Sequence, residues 1–163
     1  MVPAEIDAVD LRILSMLQEN ARTPFTKIAQ ELGVSDATIH LRVRKMENTG
    51  VIEKYDTVLN EEKMGKPVSA YVLVRVDPGT VEEVCKRLLE LEKVYEISEI
   101  HERYDVLVKI RGSGLEEVRD ILIQKIRSIP AVVDSETYMV FRNWKRDLGV
   151  RIEGLNERMA VEG

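Results

Sequence analysis

The chain has 163 residues, room for one medium domain or two small ones, and 33% of them are charged, with a net charge of −5 at pH 7. That acidic balance excludes a uniformly basic nucleic-acid coat, so any anion-binding face has to be local; screening confines such a face to about 10 Å at 0.1 M salt. One cysteine, Cys85, excludes an internal disulfide, and one cysteine with two histidines is too few for a structural zinc site.

No apolar run reaches the roughly 20 residues needed to span a bilayer. The opening Met-Val-Pro-Ala-Glu-Ile-Asp has neither the basic flank nor the apolar core of a signal peptide. A cytoplasmic protein is expected, with no membrane association, no metal and no cofactor.

Asp7 and Asp10 flank the start of a first helix, Asp7 as N-cap and Asp10 in the first turn, where the dipole favours a negative charge. Val9, Ile13, Leu14 and Leu17 make its apolar stripe, and it should end near Asn20-Ala21. Thr23-Pro24 opens a second helix with proline at the first helical position. Ile28, Ala29 and Leu32 face inward there, and Gly33 closes it with positive φ. A third helix begins at Ser35, whose hydroxyl can cap an orphan N–H, and runs to Gly50. Ile39, Val43 and Met46 recur at helical spacing, and Arg42, Arg44 and Lys45 fall off that stripe with Thr38, His40 and Leu41. A short helix, apolar beneath and basic outside, set behind a glycine turn and another small helix, reads as the recognition helix of a helix-turn-helix.

The expected DNA contacts are therefore Ser35, Thr38, His40, Arg42, Arg44 and Lys45. Thr38, His40 and Arg42 are placed to read base edges, and Arg44 and Lys45 to touch phosphate. Ser35 doubles as helix cap.

Val51–Leu59 has strand-like composition and is expected to be a connecting strand. The polar run Asn60–Pro67 marks a domain boundary. Beyond it, Val68–Val76 is a β run. Thr80 to Glu83 has the spacing of a capping box, opening a helix with Val81, Val84, Cys85, Leu88 and Leu91 inward. Val94–Ile100 and Asp105–Ile110 are strands. Ser113 to Glu116 looks like a second capping box, ahead of a helix that Pro130 stops, and Val132–Phe141 is the last strand.

The order β-α-β-β-α-β is the ferredoxin-like arrangement. The fold class is α+β, with residues 1–50 a three-helix helix-turn-helix domain, 51–66 a connecting strand and linker, 67–145 a ferredoxin-like domain, and 146–163 a tail in which Val150 and Ile152 add a short strand. Tyr71–Val74, Val106–Val108 and Tyr138–Phe141 are continuous apolar runs where a wet second face would alternate. A second copy covering that face, in a symmetric dimer, is expected.

Asp7-Ala-Val-Asp10-Leu-Arg-Ile13-Leu14, Leu17-Gln-Glu-Asn20-Ala21-Arg22, Ile28-Ala29, Leu32-Gly33-Val34-Ser35, Thr38-Ile39, Arg42-Val43 and Gly50-Val51-Ile52 together resemble the Lrp/AsnC family, the feast/famine regulators. The resemblance continues to about residue 143. It implies a transcriptional regulator and not an enzyme, a homodimer assembling further, commonly to octamers, on double-stranded DNA with an imperfect palindrome. It also implies an amino acid or related effector bound at contacts between C-terminal domains. Relatives border the effector pocket with a Thr-Gly-x-Tyr/Phe-Asp turn. Here that turn is His101-Glu102-Arg103-Tyr104-Asp105, with Glu102 in place of glycine. Tyr104 and Asp105, with the small hydroxyls Ser135 and Thr137 of the last strand, are the effector residues the resemblance implies. The alternatives are a regulator without effector and an architectural DNA-binding protein. A tetrapyrrole-acting enzyme of the same layout is remote, because no nucleophile–base pair is present.

Overall fold

The computed structural model describes residues 6–144. Residues up to Thr57 form one compact unit, and Val58 begins a second.

In the first unit, α1 spans Ala8–Glu19, α2 Phe25–Leu32 and α3 Asp36–Asn48. Asp7 is the N-cap of α1 and forms a reciprocal box with Asp10. The Asp7 carboxylate accepts from the Val9 and Asp10 amides, both at 2.9 Å, and the Asp10 carboxylate accepts from the Asp7 amide at 3.1 Å. Proline does not occupy the first helical position of α2. Pro24 stands one residue earlier, as N-cap with ψ 138°, and its carbonyl accepts from Lys27 and Ile28. Gly33 closes α2 at φ 68° and donates to the Ala29 carbonyl. Ile13, Leu17, Ile28, Ala29, Ile39, Val43 and Met46 form the core of this unit.

The connecting strand expected over Val51–Leu59 is absent. Val51 and Ile52 pack on the helical core instead, and the Tyr55 hydroxyl donates to Glu47 of α3 at 3.0 Å. A strand needs a neighbour to bond, and this segment has none: Val51 and Ile52 close the helices while Val58 and Leu59 stay exposed.

The second unit holds β1 (Val68–Val76), α4 (Val81–Leu89), β2 (Val94–Glu99), β3 (Val106–Gly112), α5 (Leu115–Asp120, continued by a π-helical Ile121–Ile126) and β4 (Val132–Val140). The four strands form one antiparallel sheet in the order β2-β3-β1-β4, the ferredoxin-like βαββαβ arrangement. Ala70, Val72 and Val74 of β1 pair with Ile110, Val108 and Val106 of β3, and all six are fully buried in one core with Val84 and Leu88 of α4 and Val118, Ile121 and Ile126 of the α5 segment.

Neither expected capping box forms. The Thr80 hydroxyl donates to the Asp77 carbonyl at 2.7 Å, which orders the turn but leaves the helix end uncapped by a side chain. At α5 the N-cap is Gly114, and Glu117 rather than Glu116 reaches back, accepting from the Ser113 amide and hydroxyl. The carboxylate of Glu117 also takes Lys93 and lies 3.9 Å from Lys66. Lys93 foremost, then the Ser113 groups, hold it down to about 2. Arg111 of β3 pairs with Glu61 at 2.5 Å and fastens the turn Asn60–Gly65 to the sheet, and Lys66, just after the turn, lies near Glu117 of α5. This is why the turn belongs to the second unit.

The side of the sheet away from α4 and α5 is mixed, not wholly apolar. Tyr71, Leu73 and Leu107 occupy its middle, half-buried. Around them Arg75 meets Asp134 at 3.5 Å, and Lys109 meets Glu96 at 4.0 Å with its ammonium 5.2 Å from the Tyr71 ring. The apolar runs read in β1 and β3 alternate in burial, strictly so along β3, whereas Tyr138–Phe141 does not. No helix among the described residues is long and apolar enough to cross a membrane. The strand expected around Val150 and Ile152 lies outside the described residues.

Candidate nucleic-acid interface

Ser35 is the N-cap of α3. Its Oγ accepts from the Thr38 amide at 3.1 Å and lies 2.7 Å from the Thr38 hydroxyl. The cap fixes where the helix starts, and Ile39, Val43 and Met46 fix which side is down, since all three are buried. An α-helix turns about 100° per residue. The side opposite those three therefore carries Ala37, Leu41, Arg44, Lys45 and Asn48, every one of them exposed.

Arg42, expected among the base readers, is not on that outer side. It stands on the flank facing α1, and its guanidinium donates to Asp7 Oδ2 at 2.7 Å and to Asp10 Oδ1 at 2.9 Å. Asp10 is almost entirely buried, so the ion pair is worth more than a surface pair, and the acid cannot be left alone cheaply. Burial works to raise the Asp7 carboxyl, but the Asp10 amide, the Arg42 guanidinium and the Val9 amide outweigh it and hold it below its usual range. The hydrogen bonds to Asp10 and Asp7 push Arg42 further up. Arg42 thus locks α3 onto the start of α1. Two acids three residues apart at a helix start, with a single arginine on the flank of the third helix, were the sequence signal for this clamp.

His40 lies on the other flank. Its Nε2 is 3.6 Å from Asp36, one turn back, and its ring meets that of Phe25 edge-on with centroids 4.8 Å apart. Arg44 is exposed and takes no ion pair among the described residues. Leu41, which has no charge or hydrogen-bonding group to mark it in the sequence as a contact, is 70% exposed at the middle of the outer side.

The four expected effector residues do not converge within the chain. In the sheet register Ser135 pairs with Val74 and Thr137 with Val72, which puts both on the helix-covered face. Ser135 is already engaged: its hydroxyl accepts from Arg127 Nε at 2.7 Å and its carbonyl from the same guanidinium at 3.1 Å. Thr137 Oγ1 is buried without a hydrogen-bond partner among the described residues. Tyr104 reaches the opposite face, its hydroxyl donating to Glu136 at 3.0 Å. Asp105 accepts from the Val76 amide at 2.8 Å, beside the register shift at Arg75/Val76, and so holds the end of β1. Glu136 and Arg127, which organise these groups, had no distinguishing spacing in the sequence; only strand pairing brings them in. Glu102 in the preceding turn has φ 144°, a conformation that glycine adopts freely and a β-carbon resists.

Among the described residues no group of histidine, cysteine and acidic side chains could hold a metal ion.

Residues 6–47 match the AsnC-type helix-turn-helix domain and residues 69–150 the Lrp/AsnC ligand binding domain. The HTH-type transcriptional regulator FL11 of Pyrococcus abyssi is 34% identical over 86% of this chain and 92% of its own length. The HTH-type transcriptional regulator LysM of Sulfurisphaera tokodaii is 32% identical over 86% of this chain and 99% of its own. Among solved structures, E. coli AsnC superposes with a TM-score of 0.83 at 28% identity, covering 87% of this chain and 96% of that one. A Neisseria meningitidis transcriptional regulator in complex with L-Met superposes at 0.85 with 18% identity, covering 92% and 99%.

Proposed function

The chain belongs to the Lrp/AsnC family of transcriptional regulators, and from that premise we propose that it binds a specific DNA sequence through the outer side of α3, as a twofold dimer. The observation that carries this reading is the division of labour among the basic residues of α3. Arg42 is consumed in anchoring the helix, while Arg44 and Lys45 remain on the exposed side. Ser35 and Thr38 lie at the N-terminal end, where backbone N–H groups and hydroxyls suit a phosphate, and His40 stands beside them. Arg44 and Lys45 supply the charge.

The open sheet face supports association with a second copy. Its centre is Tyr71, Leu73 and Leu107, and its rim charges are compensated in pairs, so a twin surface meets little net repulsion. Two recognition helices related by a dyad would enter successive major grooves about 34 Å apart, or a multiple, and an imperfect palindrome follows. Assembly beyond the dimer, to octamers, belongs to the same proposal. So does a small effector such as an amino acid, supported by the ligand-binding domain and by the L-Met complex of the Neisseria protein. An effector of this kind would shift DNA affinity by a coupling of about 1–3 kcal/mol.

Selection of bound sequences from a random duplex pool tests the reading. A palindrome with half-sites one helical turn apart, or a multiple, is expected, and Arg44→Ala with Lys45→Ala should abolish enrichment. Enrichment of no sequence would refute it.

A second reading, a regulator without effector, has its own observation. Glu102 fills the turn with a carboxylate, and the Ser135 hydroxyl is already bonded to Arg127. Calorimetry against the standard amino acids decides between them: heat from one supports effector control, and silence from all supports the constitutive form.

A further inference from the structure

Leu41 is a large aliphatic side chain, 70% exposed, at the middle of the side of α3 opposite Ile39, Val43 and Met46. It has no place in the core of its unit. Ala37, one turn earlier, is exposed on the same side, and Arg44 and Lys45 lie one turn later. The outermost strip of the helix is thus methyl-bearing in the middle with cations beside it. Folding gains nothing from an isolated exposed leucine, and water pays for its hydration in every unbound molecule.

On the reading of α3 as the DNA-contacting helix, this strip is the part that enters deepest. The major groove presents one apolar group, the 5-methyl of thymine, and the minor groove presents none. His40 and Arg42, on the two flanks and each held by an acid, are poorer candidates for the groove floor. We infer that Leu41, with Ala37 beside it, is a specificity-determining residue that packs on a thymine methyl in each half-site. Arg44 and Lys45 then hold the backbone while the aliphatic strip selects A·T over G·C at that position and fixes which strand carries the thymine.

The test uses the full-length protein and the duplex it selects from a random pool, resynthesised with deoxyuridine in place of each thymidine in turn. Deoxyuridine keeps the base pair and removes only the methyl. Loss of one buried methyl should weaken wild-type binding about fourfold per half-site, and about fifteenfold when both half-sites are changed. Leu41→Ala should bind the thymidine duplex more weakly and be indifferent to the same replacement. Leu41→Met, which keeps an aliphatic tip, should retain the dependence. Because the residue is exposed, both variants should melt with the wild type. If the wild type ignores every deoxyuridine, or if Leu41→Ala loses as much as the wild type, the inference is overturned while sequence-specific binding through α3 stands. If the wild type enriches no sequence, both fall together.

Discussion

The outer side of α3 and the open face of the sheet are both exposed and both part polar, yet they treat charge in opposite ways. On the sheet each cation has an acid within reach: Arg75 with Asp134, Lys109 with Glu96, Arg111 with Glu61. On α3 the arginine that could be neutralised, Arg42, has been drawn off to the flank by Asp7 and Asp10, and Arg44 is left facing solvent. A face whose charges are already compensated can be laid against a copy of itself. A face that turns Arg44 to solvent is open to an anion. On the function proposed above, the two units divide the work accordingly, one for association and one for the phosphate backbone.

That contrast can be broken at several points. The largest effect is expected at the centre of the sheet face. Leu73→Asp puts a carboxylate, and across a dyad two, where apolar surface meets. Association should weaken by about a thousandfold, read by sedimentation, because a buried unpaired charge costs about 4 kcal/mol. A dimer that survives would show that this face does not mediate it. Next is Arg42→Ala, which strands Asp10 in the interior. Thermal unfolding should report a loss of about 3 kcal/mol, whereas a mere DNA contact would leave stability unchanged and lower affinity only.

A smaller change of opposite sign is expected at the turn between β2 and β3. Glu102→Gly relieves a positive φ of 144° and should stabilise the second unit by about 1 kcal/mol, a rise of several degrees in Tm. No rise would mean that the carboxylate earns its position through contacts that offset the strain. The smallest effect concerns acid. Glu117 is held at about 2 against an ordinary 4.5, so its contribution is complete above 4.5 and fades as pH falls toward 2. Glu117→Gln should be less stable than wild type near neutrality and converge with it in acid. A constant gap across that window would remove the carboxylate's charge from the account.

Much of this molecule is legible without coordinates. Asp7, Gly33 and Ser35 announce the ends of the first three helices because caps and positive φ are local demands, met by neighbours in the chain. The βαββαβ order follows from apolar periodicity and turn residues for the same reason. Where local chemistry is ambiguous, spacing alone misleads. Thr80 and Ser113 have the spacing of capping boxes, but Thr80 bonds back to Asp77, and Glu117 supplants Glu116 because Lys93 and Lys66 gather round it. Val51–Leu59 has the composition of a strand and lacks a partner.

The linear chain determines which residues can be helix, strand or turn, because those preferences are decided within a few residues of each position. The choice of neighbours across the fold is made by packing alone. An arginine thirty-two residues from a buried acid becomes a clamp, and a leucine becomes the foremost point of its helix. Two serine and threonine hydroxyls turn toward one side of the sheet while a tyrosine reaches the other. Each of those outcomes depends on where the backbone delivers a side chain in three dimensions, and no local propensity encodes that.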